Sequence, residues 1–316
     1  MSFLEYKEKS SARYAYFVKK GFTPWKKYAL IKYIGKDTGL FSKEGYMLDN
    51  MGTLVEAELD LRKNLWENTK LAYNNELVKN VEKNAILLTN LVEAKNTYPI
   101  LKKEFAKEFV YNSNNIEGSK IPKERLAELL EKGKTNHSNK NEVLEVENSI
   151  RAMDYFDNGF TFNETGIKKL YSILTKDILM EKGMPYPKGF RKIEIIAGEA
   201  PTSKPKEIKK EISSLLKWNK TNSKKISPLE RAFGFHWRYE AIHPFRDGNG
   251  RTGRLLMNKI LDQNNYPPII IYKDNKLAYF NAISAIREGD NKRYYQFMLE
   301  QAKKTYEQMI EIIKKV

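Results

Sequence analysis

His243-Pro244-Phe245-Arg246-Asp247-Gly248-Asn249-Gly250-Arg251-Thr252-Gly253-Arg254 is the stretch that decides how this 316-residue chain is read. Pro244 cannot sit inside a helix and two glycines bracket Asn249, so residues 243–249 form a loop. From Gly250 onward, Leu255-Leu256-Met257 and Ile260-Leu261 return to helical spacing. The loop therefore feeds a helix N-terminus, where unpaired N–H groups and the helix dipole attract anions. Gly248 and Gly250 let the backbone fold its N–H groups into a concave nest. Arg251 and Arg254, three apart, share a helix face and aim two guanidinium forks at one region. Chemically this is a polyphosphate cradle. Asp247 at its lip suits Mg²⁺, and His243 is a base able to work near neutral pH. Taken singly, each residue has a plain structural reading: His before Pro shapes a turn, Gly-Asn-Gly is a common turn, and three arginines make a solvated helix face. Here base, carboxylate, nest and forks arrive in one contiguous order.

Outward from this segment the chain reads as helical from Pro99 to its end. Residues 142–156 place Val143, Val146, Ile150 and Met153 on one face, and 166–179, 208–218 and 228–242 follow similarly. Met298, Ala302, Tyr306, Met309, Ile313 and Val316 make a last amphipathic stripe. The exception is 191–198, which alternates at period two between Gly189 and Gly198 with Pro201, and so predicts a β-hairpin. Residues 51–93 are helical too, as one long helix or two with a break near Tyr73-Asn74-Asn75. The first fifty residues read as β: 11–18 and 27–34 are rich in aromatic and branched residues, punctuated by Gly21, Pro24, Gly35 and Gly39. A small hairpin or three-stranded unit results, too small to stand alone. The expected fold class is mainly α. It divides into a β unit (1–50), a helical arm (51–97) that packs within the chain, and a helical bundle with a β-hairpin (98–316).

Composition removes several alternatives. Zero cysteines exclude a disulfide scaffold, a thiolate zinc site, an iron–sulfur cluster and a cysteine nucleophile. No stretch approaches the ~18 uninterrupted apolar residues of a membrane span. The N-terminus meets Glu5, Lys7, Glu8 and Lys9 before any apolar core, so no secretory signal is read, and the expectation is a soluble cytoplasmic protein. The net charge of +16 would suit a polyanionic partner. It comes, however, from 44 Lys against 12 Arg scattered along the chain, whereas nucleic-acid readers gather such residues on one face.

Residues 243–254 resemble the signature of the Fic (filamentation induced by cAMP) family, His-Pro-Phe-x-Asp/Glu-Gly-Asn-Gly-Arg-x-x-Arg, at every defining position. Pro228-Leu229-Glu230-Arg231-Ala232, Tyr266-Pro267-Pro268-Ile269-Ile270-Ile271 and Glu288-Gly289-Asp290 are similar to its flanks, so the resemblance covers 98–316. It implies a helical Fic domain that transfers AMP from ATP to a Tyr, Ser or Thr hydroxyl of a target protein, or of itself, releasing pyrophosphate. On that resemblance His243 takes the hydroxyl proton, and Asp247 holds Mg²⁺ or Mn²⁺. Gly248, Asn249, Gly250 and Arg251 bind phosphate oxygens, Arg254 grips the γ-phosphate, and Phe245 anchors the core. The Doc-like branch, which transfers a phosphoryl group, lacks the full Gly-Asn-Gly-Arg pattern, so kinase chemistry is the weaker option.

Ser113-Asn114-Asn115-Ile116-Glu117-Gly118 resembles the family's inhibitory Ser/Thr-x-x-x-Glu-Gly, which implies the subclass with an N-terminal inhibitory helix built on Ser113, Glu117 and Gly118. Glu117 would compete with the γ-phosphate for Arg254; on the residues alone, Gly118 is a helix C-cap beside a surface Glu. The hairpin resembles the family's flap, where Ile193, Glu194 and Ile195 would bind a target chain edge to edge. Tyr279, Phe280 and Asn281 fall where relatives contact adenine. Arg287 departs from the Asn that some relatives carry there. His236 reads as a core residue and His137 as solvent-exposed in a polar loop. The expected partners are a protein with an acceptor hydroxyl, the chain itself, and a second copy as a homodimer, with neither membrane nor nucleic acid. The competing functions are removal of AMP by the same site, with Glu117 orienting a water, and a basic nucleic-acid-binding regulator read by the N-terminal β unit. No helix-turn-helix or zinc pattern favours the latter.

Overall fold

Branched and aromatic residues at the N-terminus form three antiparallel strands, β1 (Ser2–Lys9), β2 (Ala12–Phe22) and β3 (Lys27–Lys36), in the order β1-β2-β3. The computed structural model describes residues 2–67, 75–180, 183–197 and 200–316. The first fifty residues are not wholly β: α1 (Lys43–Asp49) follows, capped by Ser42, whose Oγ accepts the Gly45 N–H at 2.9 Å. With Met47 its one buried residue, so short a helix leaves no period to detect in the sequence. Next come α2 (Met51–Leu61), α3 (Asn64–Glu67) and α4 (Asn75–Lys95). Of the expected break near residues 73–75, Tyr73 and Asn74 lie outside the described residues, and α4 starts at Asn75.

The remaining helices are α5 (Tyr98–Glu117), with Pro99 in its first turn, α6 (Lys123–Lys132), α7 (Lys140–Asn158) and α8 (Glu164–Leu174). After the strands β4 (Ile196–Ala197) and β5 (Ala200–Pro201) come α9 (Ile208–Asn222), α10 (Pro228–Ile242), α11 (Asn249–Asp262), α12 (Lys276–Arg287) and α13 (Asn291–Lys314). Helix α8 stops five residues before the expected 179. The Asn148 amide takes the Leu174 and Lys176 carbonyls at 3.4 and 2.7 Å, ending the helix from outside.

The hairpin is shorter than its alternation predicts. Only Ile196↔Pro201 and Ala197↔Ala200 pair, Gly198 lies outside the described residues, and Ile193, Glu194 and Ile195 form no ladder. Side chains have taken the carbonyls a ladder would use. The Arg191 guanidinium donates to Ile193 O at 2.7 Å and to Ser203 O, and Thr202 Oγ1 donates to Ile195 O at 2.6 Å. Alternation alone cannot anticipate that competition.

One apolar core runs continuously from α2, α3 and α4 through α13, with α13 lying along α4, so the helical arm packs within the chain. A second core, Phe17, Leu30, Met47, Leu54 and Ala94, joins the inner face of the sheet to α1, α2 and α4. Beside it lies a buried polar knot. Glu58, fully buried, accepts from Lys19 Nζ at 2.6 Å, the Tyr28 hydroxyl at 2.7 Å and Arg62 Nη2 at 2.5 Å, and Lys19 also reaches Asn90. Burial alone would raise the Glu58 carboxyl, but Arg62 and Lys19 hold it below its usual range. Among the described residues no helix is long and apolar enough to cross a membrane.

Candidate active site

The site is assembled where α10 ends and α11 begins. Ser227 starts α10, its Oγ accepting the Glu230 N–H at 3.2 Å with Pro228 in the first turn. The helix ends at His243 in the left-handed region, φ 50°, a conformation that disfavours any side chain by about 1–2 kcal/mol. Two clamps hold it there. Arg191, 3% exposed, donates Nε to His243 O at 2.8 Å and its backbone N–H to Pro244 O at 2.9 Å. Asn249 turns its amide back into the loop, accepting from Phe245 N at 2.9 Å and donating to Phe245 O at 3.0 Å. What Asn249 offers an anion is therefore its backbone N–H. Phe245 is buried as the core anchor its position suggests, stacked on Tyr171 with centroids 3.9 Å apart.

Gly248 caps α11 at φ 69°. At Gly250 the reason for glycine is room: a Cβ would stand 2.2 Å from Glu117 Oε1 and 2.8 Å from Arg254 Nη1. The Glu117 carboxylate thus rests directly on the first turn of α11. It accepts from Arg254 Nη2 at 2.7 Å, while Ser113 holds the same guanidinium through Oγ at 2.9 Å and its carbonyl at 2.9 Å. Gly118 caps α5 immediately after. Burial would lower the Arg254 pKa, but Glu117 reverses this and leaves it raised. Arg254 Nη1 and Arg251 Nε are buried with no hydrogen-bond partner among the described residues. Two charged donors left open at a helix N-terminus are what an anion site requires.

Arg251 and Arg254 do not share a partner. Arg251 Nη1 pairs with Glu145 on α7 at 2.9 Å, and its Nη2 is 4.0 Å from Asp247 Oδ1. Asp247, its side chain 46% exposed, stands at the mouth. Its Oδ2 accepts from the Tyr186 hydroxyl at 2.6 Å and its Oδ1 from the Gly248 N–H at 2.5 Å. Partial burial works to raise this carboxyl, and Arg251, Tyr186 and Gly248 overcome it, keeping it below its usual range and ionised.

Burial pushes the His243 imidazole down to about 4, with Glu117 opposing and Arg287 assisting. At neutral pH it is an uncharged base. Glu240, three residues earlier on α10, brings Oε2 to 3.9 Å from His243 Nδ1. Burial, then the neighbouring Glu117, pushes its carboxyl up to about 7. The two groups have opposite linkage to folding. The stability tied to neutral His243 is present above pH 6.5 and lost as pH falls toward 4. That tied to protonated Glu240 is present below 4.5 and lost as pH rises through about 7. In an NMR titration, His243 is expected to protonate near pH 4; a midpoint near 6.5 would show that its enclosure does not govern it.

The other expected site residues scatter in role. Tyr279 is 2% exposed, its hydroxyl 2.8 Å from His236 Nε2, so it belongs to the core with His236. Phe280, 44% exposed, presents its ring outward. Arg287 donates Nη2 to Glu240 O at 2.7 Å, which places it behind the His243 turn. Ile193 and Glu194 are exposed and Ile195 half-buried. His137 is not solvent-exposed: its Nε2 lies 2.6 Å from Glu142 Oε2, and the pair folds the polar loop onto α7. Sequence reading missed Glu145, Tyr186 and the clamp role of Arg191, which have no signal near the motif, and Glu240, whose position one helical turn before His243 was a usable one.

The comparisons with known proteins bear on this geometry. Residues 161–261 match the model of the Fic/DOC family. The chain is 30% identical over 226 residues to Protein adenylyltransferase Fic of Drosophila mojavensis, covering 69% of this chain and 44% of that protein. It is 28% identical to the Drosophila persimilis protein of the same name, covering 69% and 43%. The chain thus spans less than half the length of the curated relatives it matches. Among solved structures, its fold is similar to a Fic family protein from Desulfovibrio desulfuricans (TM-score 0.66, 23% identity, 78% of this chain and 76% of that one). It is also similar to a Fic-domain-containing signaling protein from Bacteroides thetaiotaomicron (TM-score 0.62, 22% identity, 73% and 97%). The matched residues contain the whole His243 turn and the first turns of α11, and by that match the chain carries a domain of the Fic/DOC family.

Proposed function

We propose that this chain is a self-inhibited protein adenylyltransferase, which moves AMP from ATP to a Tyr, Ser or Thr hydroxyl of a protein and releases pyrophosphate. The observation that carries this reading is the Glu117 carboxylate lying against Gly250 and bonded to Arg254, in the place where a triphosphate would meet the α11 N-terminus. His243, neutral and aimed from the turn, takes the proton of the acceptor hydroxyl. The freed oxygen attacks the α-phosphorus, the bond from that phosphorus to the bridging oxygen breaks, and pyrophosphate leaves. The N–H groups at the start of α11 and the Arg251 guanidinium meet the phosphate oxygens, and Arg254, once released by Glu117, meets the γ-phosphate.

Asp247 fits a divalent cation. It is ionised and half open at the mouth, and Mg²⁺ binds through one or two carboxylates with substrate phosphates and waters filling the rest. Bound there, Mg²⁺ or Mn²⁺ would neutralise phosphate charge. The same reading assigns catalysis to residues 98–316, with 51–97 as helical support and 1–50 as an attached β unit. Incubation with a protein acceptor and ATP labelled at the α- or γ-phosphate tests it. Label is expected to become protein-bound from the α-position alone; label arriving from the γ-position would make the chain a kinase instead.

A further inference from the structure

The N-terminal sheet has two faces, and among the described residues it is the inner one that joins the second apolar core. Register places Leu4, Phe17, Lys19 and Leu30 together on the inner face, above the second core. By alternation the outer face carries Tyr14, Tyr16, Val18 and Lys20 from β2, Phe3, Glu5 and Lys7 from β1, and Ile31 and Tyr33 from β3. Glu5 stands opposite Tyr16, its carboxylate 3.6 Å from Lys7 Nζ. Val18 at the centre of this face is covered by its neighbours, while the β3 side is open, with Ile31 52% exposed and Tyr33 58%. Tyr16 and Tyr33 face each other across the strands with ring centroids 5.4 Å apart, and Tyr14 stands 6.3 Å from Tyr33.

Charge flanks these rings at both ends. Register puts Lys7, Tyr14 and Lys36 side by side across the three strands. Lys20 stands about 20 Å and Lys27 about 27 Å farther along, at ~3.4 Å per residue, past the three tyrosines. Lys7 lies over the Tyr16 ring at 5.1 Å and Lys20 over Phe3 at 5.2 Å. Residues 1–36 hold nine Lys and Arg against two Glu, a net +7 of the chain's +16 shared by both faces of the sheet, with Lys19 turned inward to Glu58.

We propose that the outer face of this sheet binds single-stranded nucleic acid, its tyrosines stacking on bases while the lysines at either end meet phosphates. Every base has a π-face, so a band of aromatic rings tolerates any sequence, and lysines along it follow the backbone. A second copy of the chain is the poorer occupant, since two sheets of like charge repel. The face shares no residue with the His243 site, so this inference and the proposed activity stand or fall separately.

Fluorescence anisotropy of the full chain with labelled 12-nucleotide oligo(U), oligo(dT) and a 12-base-pair duplex tests it. Both single strands are expected to bind more tightly than the duplex. Affinity should fall roughly fiftyfold between 50 and 200 mM KCl if four phosphates are met. The Tyr16→Ala, Tyr33→Ala double variant should bind about thirtyfold more weakly or worse, and the corresponding Phe double variant within about threefold of the parent. Equal melting curves and unchanged AMP transfer would confine the loss to the sheet. Absence of binding at 50 mM KCl, preference for the duplex, or indifference to both tyrosines would overturn the proposal. So would a dimer in light scattering that Tyr33→Ala dissolves without any oligonucleotide effect, which would assign the face to protein.

Discussion

The Glu117→Gly protein is expected to transfer about ten to a hundred times more AMP than its parent and to bind ATP correspondingly tighter. The magnitude follows from what a γ-phosphate must displace. A hydrogen bond between charged partners is worth about 1.5–3 kcal/mol net, and each 1.4 kcal/mol is a factor of ten in binding. Removing the carboxylate does not scatter the guanidinium, because Ser113 still holds Arg254 through Oγ and its carbonyl, both at 2.9 Å. Without nucleotide the variant carries a buried guanidinium that has lost its counter-charge, so its melting temperature should drop, and saturating ATP should restore more stability to it than to the parent. Calorimetry for affinity, α-labelled ATP for transfer and thermal melts with and without ATP read all three. Equal affinity together with equal transfer would mean that Glu117 restrains nothing.

The second large effect is loss. His243→Ala should reduce labelled-AMP transfer by about a hundred- to ten-thousandfold, the usual contribution of a positioned proton acceptor. The fold should survive, because what fixes the turn is the carbonyl of residue 243, held by Arg191 Nε, and the backbone of Phe245, held by Asn249. Neither clamp needs the imidazole. A melting temperature near the parent's combined with absent transfer would place the effect in the chemistry. Retained labelling would remove His243 from the mechanism.

Where the sequence was readable, the reason is local. Pro244 and the glycines around Asn249 dictate a turn followed by a helix whatever else surrounds them, and α11 begins at Asn249. Helix α10 matches its expected span because Ser227, Pro228 and the His243-Pro244 junction mark both ends. Where the reading stopped short, a distant side chain decided. Asn148 ended α8 from another helix, and the Arg191 guanidinium took carbonyls that period-two alternation had assigned to a ladder. The candidate site divides the same way. The cradle residues are contiguous and could be read together. Glu145, more than a hundred residues from Arg251, and Tyr186, sixty-one from Asp247, meet them only through the fold.

The buried knot around Glu58 has a practical corollary for anyone wishing to shorten this polypeptide. Trimming away the first fifty positions would withdraw the ammonium of Lys19 and the phenol of Tyr28 from a carboxylate that has no access to water. Among the described residues Arg62 alone would remain to neutralise it, and Asn90 would lose the cation it faces. A removed partner of a buried charge commonly destabilises by about 3–5 kcal/mol, a large part of a typical domain's margin. The amino-terminal sheet is keyed into the helices behind it, and a truncated version would report on damage as much as on the missing segment.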